Sequence, residues 1–184
     1  MRGAARMTPD EIKALVRTVP DFPAPGIMFR DITTLIAHGP GLSATLGHLA
    51  DAAKEREVAA VAGLEARGFI FGAMLAARLG VGFVPIRKAG KLPVETIGAD
   101  YALEYGVARI ELDPTLIDEG EPVLLVDDLL ATGGTALAGV GLLRRAGARV
   151  DHALFVIDLP DLGGADALRG AGVEAWALMA FPGH

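Results

Sequence analysis

Val123 to Thr135 read VLLVDDLLATGGT. Two adjacent aspartates are followed within a few residues by a glycine-threonine run. An ionised aspartate only accepts hydrogen bonds. Asp127 and Asp128 therefore suit hydroxyl groups, and they repel a phosphate placed directly on them. The run Ala131, Thr132, Gly133, Gly134 and Thr135 suits the opposite charge. Its backbone N–H groups can converge at the start of the next helix, where unpaired donors and the positive dipole end make an anion cradle. Thr132 and Thr135 add hydroxyl donors. No lysine follows the glycines in a GK[ST] arrangement, which excludes a nucleoside-triphosphatase P-loop. A sugar with a terminal phosphate and two free hydroxyls would answer both halves.

Such a site needs elements that hold it at a sheet edge. Val58–Leu64, Gly82–Ile86, Glu121–Asp128 and Val150–Asp158 are short apolar runs that read as buried strands. Helical patterns separate them, over 68–80 and over 134–148, the latter stopped by Gly147. This alternation predicts an α/β fold with a mostly parallel sheet covered on both faces. In such sheets ligands bind beyond the carboxyl ends of the strands, where Val123–Val126 would deliver the aspartates. Ahead of the sheet, Thr8, Pro9 and Glu11 form a capping box that opens a helix whose apolar face is Ile12, Leu15, Val16 and Val19. Leu42, Leu46, Leu49 and Ala53 predict a second amphipathic helix. PDFPAPGIMFRDIT, from Pro20 to Thr33, reads as an ordered loop or hood. The stretch from Arg87 to Leu112 reads as a long loop with an antiparallel excursion, and loops of that length are usually functional.

With 184 residues the chain fits one domain spanning 1–184. No cysteine is present, which excludes disulfide frameworks and thiolate metal sites and fits the reducing cytoplasm. The formal charge of -6 argues against nucleic acid as a partner. The most apolar stretch, 68–86, contains Arg78, Pro85 and several glycines, so a buried helix and strand are expected there rather than a membrane span. His38, His48, His152 and His184 are scattered without metal-ligand spacing.

VLLVDDLLATGGT resembles the signature of the type I phosphoribosyltransferases. Five further stretches in order extend the likeness over nearly the whole chain and toward the family's adenine-using members: PDFPAPGIMFRDIT, GLEARGFIFG, IRKAGKLP, YALEYG and FPGH. The resemblance implies that family's fold, a twisted, mostly parallel sheet flanked by helices. It also implies a small hood, built from about 20–35 and the C-terminal part, and a flexible catalytic loop over about 87–107. The implied reaction moves a phosphoribosyl group from phosphoribosyl pyrophosphate to adenine, releasing AMP and pyrophosphate, in cytoplasmic purine salvage. A homodimer and Mg²⁺ are implied as well. The ion would be carried by the substrate, with no direct protein ligand unless Asp127 and Asp128 complete its shell.

Carried onto these residues, the likeness gives Asp127 and Asp128 the ribose hydroxyls, directly or through a magnesium shell. Ala131, Thr132, Gly133, Gly134 and Thr135 would wrap the 5-phosphate. Arg67, Arg87, Lys88 and Lys91 would neutralise pyrophosphate, part of that cluster reaching the neighbouring subunit's site. Glu104 is the candidate catalytic base, accepting adenine's proton or holding the right tautomer. Tyr101 and Tyr105 would cover the closed site. Main-chain groups near Met28 and Arg30 would match adenine's donor–acceptor edge, with Phe29 stacked on one face of the ring and Leu159 on the other; Met28 could equally be filler. Two rivals stay open: a sister enzyme for another purine base, and a sensor that keeps the sugar-phosphate site without catalysis.

Overall fold

The computed structural model describes residues 6–103 and 106–183. Helix α1 (Pro9–Lys13) begins at the expected capping box: the Thr8 hydroxyl accepts the Glu11 N–H and the Glu11 carboxylate accepts the Thr8 N–H. It is shorter than the apolar spacing suggested. The chain leaves the helix after one turn, and Val19 lies in strand β1 (Arg17–Pro20), which pairs antiparallel with β2 (Met28–Asp31) in a separate two-stranded sheet. Side chains of 17 and 31 explain the change. Arg17 forms an ion pair with Asp31 across the hairpin, directly opposite it in register. Non-local pairing here overrides a helical pattern too short to stand alone.

Two helices follow, α2 (Thr33–Ala37) and α3 (Gly39–Lys54), the second capped by His38, whose Nδ1 accepts the Gly41 N–H at 3.1 Å. His48 contacts the Met7 carbonyl oxygen at 2.9 Å. Both histidines thus have structural partners.

The central sheet has seven strands: β3 (Ala60–Leu64), β4 (Gly82–Lys88), β5 (Ile97–Leu103), β6 (Gly106–Leu112), β7 (Val123–Leu130), β8 (His152–Asp158) and β9 (Glu174–Ala180), in the order β5-β6-β4-β3-β7-β8-β9. β4, β3, β7, β8 and β9 run parallel, as the buried apolar runs required. Helices α4 (Arg67–Leu79), α5 (Gly134–Arg145) and α6 (Gly164–Gly170) connect them. Alternate residues face opposite sides. Val61, Leu124 and Leu154 pack with Leu49, Phe71 and Leu75 of α3 and α4. Leu64, Leu125 and Phe155 pack with Leu143 of α5 and Leu168 of α6.

The antiparallel excursion expected after Arg87 is present and more extensive than a long loop implies, and one further region was not expected. The stretch after Arg87 is mostly ordered strand: β5 and β6 pair antiparallel along their whole length, and β6 pairs with the end of β4. Among its described residues only about 89–96 is irregular. At the other edge, α6 and β9 were not foreseen, because β9 is half exposed and its apolar pattern is diluted. Among the described residues no helix is long and apolar enough to cross a membrane.

Asp31 closes the hairpin and starts α2. Its carboxylate accepts the Thr33 hydroxyl at 2.6 Å and the Thr33 N–H at 2.9 Å, as well as Arg17. These bonds, the hydroxyl's foremost, hold its pKa at about 2. An unfolded aspartate titrates near about 3.9. The stability that the Asp31 carboxylate contributes is therefore complete above about pH 4 and is lost as pH falls through about 2. Asp31→Asn should be less stable than the parent at neutral pH, with the gap closing between about pH 4 and pH 2. Urea unfolding across that range checks this; a constant gap contradicts it.

Candidate active site

β3 leads through α4 to β4 on one side, and β7 leads through α5 to β8 on the other. The crevice between β3 and β7 is thus the topological switch point of the sheet, where open α/β folds bind ligands. Pairing of β3 with β7 ends at Gly63 and Val126. β7 itself continues to Leu130, so Asp127 and Asp128 lie within the strand but beyond the reach of its β3 neighbour. An open cleft of about 930 Å³ occupies this edge.

Asp127, Asp128 and all five residues from Ala131 to Thr135 line it, so the two halves of the opening motif do share one cavity. Arg67, the first residue of α4, lines the cleft and forms an ion pair with the buried Asp128. The Asp127 carboxylate accepts the Asp128 N–H at 2.8 Å. Burial pushes the Asp127 pKa well above the ordinary carboxylate range and the Asp128 charge adds to it, while Arg67 pulls the other way. The peptide joining Glu65 to Ala66, at the turn before Arg67, is cis.

The loop after β7 opens α5. Gly133 takes a left-handed φ of 85°, and no side chain caps the helix. The first-turn N–H groups of such a helix have no intrahelical partners, and here they border the cleft. Gly164 supports this loop from below: a Cβ there would overlap the Ala131 carbonyl oxygen and come within 2.9 Å of the Leu130 side chain. Gly68 plays the same part under the acid pair, since a Cβ there would lie 2.8 Å from Asp127 Oδ1 and 2.9 Å from the Val126 carbonyl oxygen. Neither glycine was singled out from sequence. The GG pair at 163–164 and the glycine of EARGF were the available signals, but close approach between distant segments leaves no mark on spacing.

The basic cluster divides. Lys88 lines the cleft. Arg87 and Lys91 are not among its lining residues; Arg87 donates to the Lys91 carbonyl oxygen at 2.9 Å and pairs with Glu65 at 3.3 Å. Glu65 also accepts the Lys88 N–H at 2.9 Å. Burial opposes its charge, but the Lys88 N–H and Arg87 hold its pKa below the ordinary value. Sequence reasoning did not identify Glu65, which anchors the strand carrying Lys88.

Across the cleft stand the expected base-pocket residues. Met28, Phe29 and Arg30 line it from the hairpin, and Leu159 from the end of β8, joined by Ile27 and Leu162. The Phe29 ring is held edge-on by Phe22 at 5.1 Å. Tyr101 of β5 also lines the cleft. Glu104, Tyr105 and His184 lie outside the described residues.

The switch-point cleft thus brings an acid pair, a glycine-threonine loop and an apolar slot into one cavity. Residues 36–166 match the model of the phosphoribosyl transferase domain. The adenine phosphoribosyltransferase of Novosphingobium aromaticivorans is 70% identical over 178 residues, which cover 97% of this chain and 100% of that protein. The crystal structure of the adenine phosphoribosyltransferase from Thermoanaerobacter pseudethanolicus superposes with a TM-score of 0.90 at 45% identity, covering 95% of this chain and 100% of that one. The enzyme from Saccharomyces cerevisiae, solved with adenine and an imino-altritol bisphosphate, gives a TM-score of 0.85 at 37% identity over 92% and 97% of the two chains. The chain belongs to the phosphoribosyltransferase family, and within it to the adenine phosphoribosyltransferases.

The glycine contact gives a direct test. Gly164→Ala must displace the Ala131 carbonyl and with it the loop through Thr135. Ribose 5-phosphate should bind this variant at least about tenfold more weakly, the loss of roughly one good anion contact. Calorimetry measures it, and unchanged affinity in a folded variant contradicts the loop's role.

Proposed function

We infer that this chain transfers the phosphoribosyl group of phosphoribosyl pyrophosphate to adenine, giving AMP and pyrophosphate. The observation that carries this reading is the convergence, in one cleft, of the acid pair, the loop 131–135, Arg67 and the 28–30 wall. The family's chemistry and the adenine held by the yeast relative support it. The activity regenerates a nucleotide from a free base, which is purine salvage, and the absence of cysteine fits a cytoplasmic setting.

The ribose sits between the two charge types. Asp127 and Asp128 accept its hydroxyls, and the amides and hydroxyls of 131–135 hold the 5-phosphate. Arg67 is paired with Asp128. When the sugar hydroxyls engage Asp128, the guanidinium can turn to pyrophosphate, which it meets as a planar fork. Lys88 adds a second positive charge on the same side. The reaction breaks the bond from the anomeric carbon to pyrophosphate ahead of attack, through an oxocarbenium-like sugar. The adenine ring nitrogen then bonds to that carbon and its proton leaves. Glu104 takes the proton or fixes the tautomer. Tyr101 and Tyr105 help exclude water, which would otherwise capture the cation.

Adenine lies in the slot between Phe29 and Leu159, its edge read by main-chain groups at 28–30. Asp127 and Asp128 are adjacent hard oxygen donors lining the cleft, the donor type that would suit a magnesium shell. When bound, Mg²⁺ supplies charge neutralisation to the departing pyrophosphate. Likeness to the family supports a homodimer in which part of the cluster Arg87, Lys88 and Lys91 reaches the neighbouring subunit's site.

Pyrophosphate release measured across adenine, hypoxanthine, guanine and xanthine should show turnover with adenine and little with the oxo purines. Equal turnover of hypoxanthine contradicts the assignment. Glu104→Gln should lower turnover by about 100-fold, the lower range of general-base contributions, with a smaller change in adenine affinity. Parent-like turnover removes Glu104 from the chemistry.

A further inference from the structure

The hairpin of β1 and β2 forms one wall of the base slot, yet it is not hydrogen-bonded into the seven-stranded sheet. An isolated two-stranded hairpin is marginally stable. What fixes the position of Met28–Arg30 relative to Leu159 must therefore lie outside the hairpin. The segment that follows β9 touches both walls.

On the hairpin side, the Arg30 guanidinium donates to the Pro182 carbonyl oxygen at 3.1 Å and to the Thr18 hydroxyl at 2.7 Å. It also lies over the buried Phe181 ring, 4.7 Å from the centroid. Lys13 approaches the same ring at 4.7 Å and donates to the Ala180 carbonyl oxygen at 2.5 Å. On the opposite side, the Phe181 N–H donates to the Asp158 carbonyl oxygen at 3.0 Å, and the Gly183 N–H donates to the Asp161 carboxylate at 2.6 Å. Asp158 and Asp161 flank Leu159, and the turn they belong to is closed by the Leu162 N–H on the Leu159 carbonyl oxygen at 3.0 Å. Leu159 and Leu162 are the far wall of the slot.

We propose that residues 180–183 act as a strap across the adenine pocket, with the Arg30 side chain as the positioning group on the hairpin wall and Asp161 as the anchor on the other. Arg30 thus has two separate parts: its main chain meets the base, and its side chain sets where that main chain stands. A planar ring held between two walls needs their spacing fixed to a fraction of an ångström, because the dispersion gain decays steeply with a gap. The strap supplies that spacing through charge-assisted hydrogen bonds and a cation over an aromatic face, the stronger kinds of polar contact. This inference rests on the adenine-transferring activity proposed above and adds a determinant of base affinity to it.

The test compares the parent with Arg30→Met, Arg30→Lys and Asp161→Ala, following AMP formation with adenine and phosphoribosyl pyrophosphate each varied. Arg30→Met keeps the length and apolar contact of the stem but loses the donors and the charge. It should raise the KM for adenine at least about tenfold, since the hydrogen bonds to Pro182 and Thr18 are both lost. The rise should exceed any change in the KM for phosphoribosyl pyrophosphate and any fall in kcat. Arg30→Lys retains a cation and a donor and should recover part of the loss. Asp161 is exposed, so Asp161→Ala should fold even where Arg30→Met does not, and it should shift the adenine KM in the same direction. Parent-like adenine KM in Asp161→Ala, together with equal behaviour of the Lys and Met variants at Arg30, overturns the strap while leaving the activity intact. A parent that forms no AMP overturns the activity itself, and the strap with it.

Discussion

Two carboxylates carried in sequence at the open end of a buried strand repel each other, and the surrounding cleft is arranged around that repulsion. Asp127 holds its proton more tightly than an ordinary aspartate, first because its half-buried carboxyl is poorly solvated and then because Asp128 stands beside it. The arginine at the start of α4 offsets part of the charge through its pairing with Asp128. Gly68 lets the helix start approach the pair closely enough for that pairing. A ligand that brings hydroxyl groups to the acids and negative charge to the arginine satisfies both sides of this balance better than water does. In the proposed function the glycine-threonine loop a few residues downstream holds the other end of the same ligand. The cleft is therefore polar at its floor, where strands end, and apolar at its far side, where the hairpin and the turn after β8 face each other.

The sheet exists to hold that arrangement. β3 and β7 are neighbours whose connections depart in opposite directions, so the helix starts after both of them open onto one crevice. This topology brings Arg67 from one strand end to Asp128 from the next across 61 residues of sequence. The helices on the two faces bury separate apolar layers, which anchors the strands and leaves three pieces at the periphery. Those pieces are the β1–β2 hairpin, the β5–β6 hairpin and the segment after β9.

Much of this was legible because it depends on local pattern. The capping box at Thr8 and Glu11 opened a helix as read, and continuous apolar runs such as AVAGL and VLLV became fully buried parallel strands. The acid pair and the glycine-threonine loop announced their cavity because both features lie on one strand and its following turn. What escaped depends on partners far away in sequence. Val19 continued a helical face on paper, but pairing with Phe29 drew it into a strand. The antiparallel excursion expected after Arg87 is present, but its extent, seven residues in register, exceeds what its weak alternation shows. Gly164, Gly68 and Glu65 matter through what they touch. Only the packed structure reveals those neighbours, and the side-chain part of Arg30 belongs to the same class.

The central claim is that the acids and the loop grip opposite portions of one phosphorylated pentose. Calorimetric titration of the parent and of the Asp127→Asn, Asp128→Asn double variant with phosphoribosyl pyrophosphate and magnesium measures this most directly. The account predicts tight association with the parent and at least about tenfold weaker association with the double variant, since neutral amides lose the charged acceptors. Equal affinity in the two proteins, or no heat of binding with the parent, would contradict it.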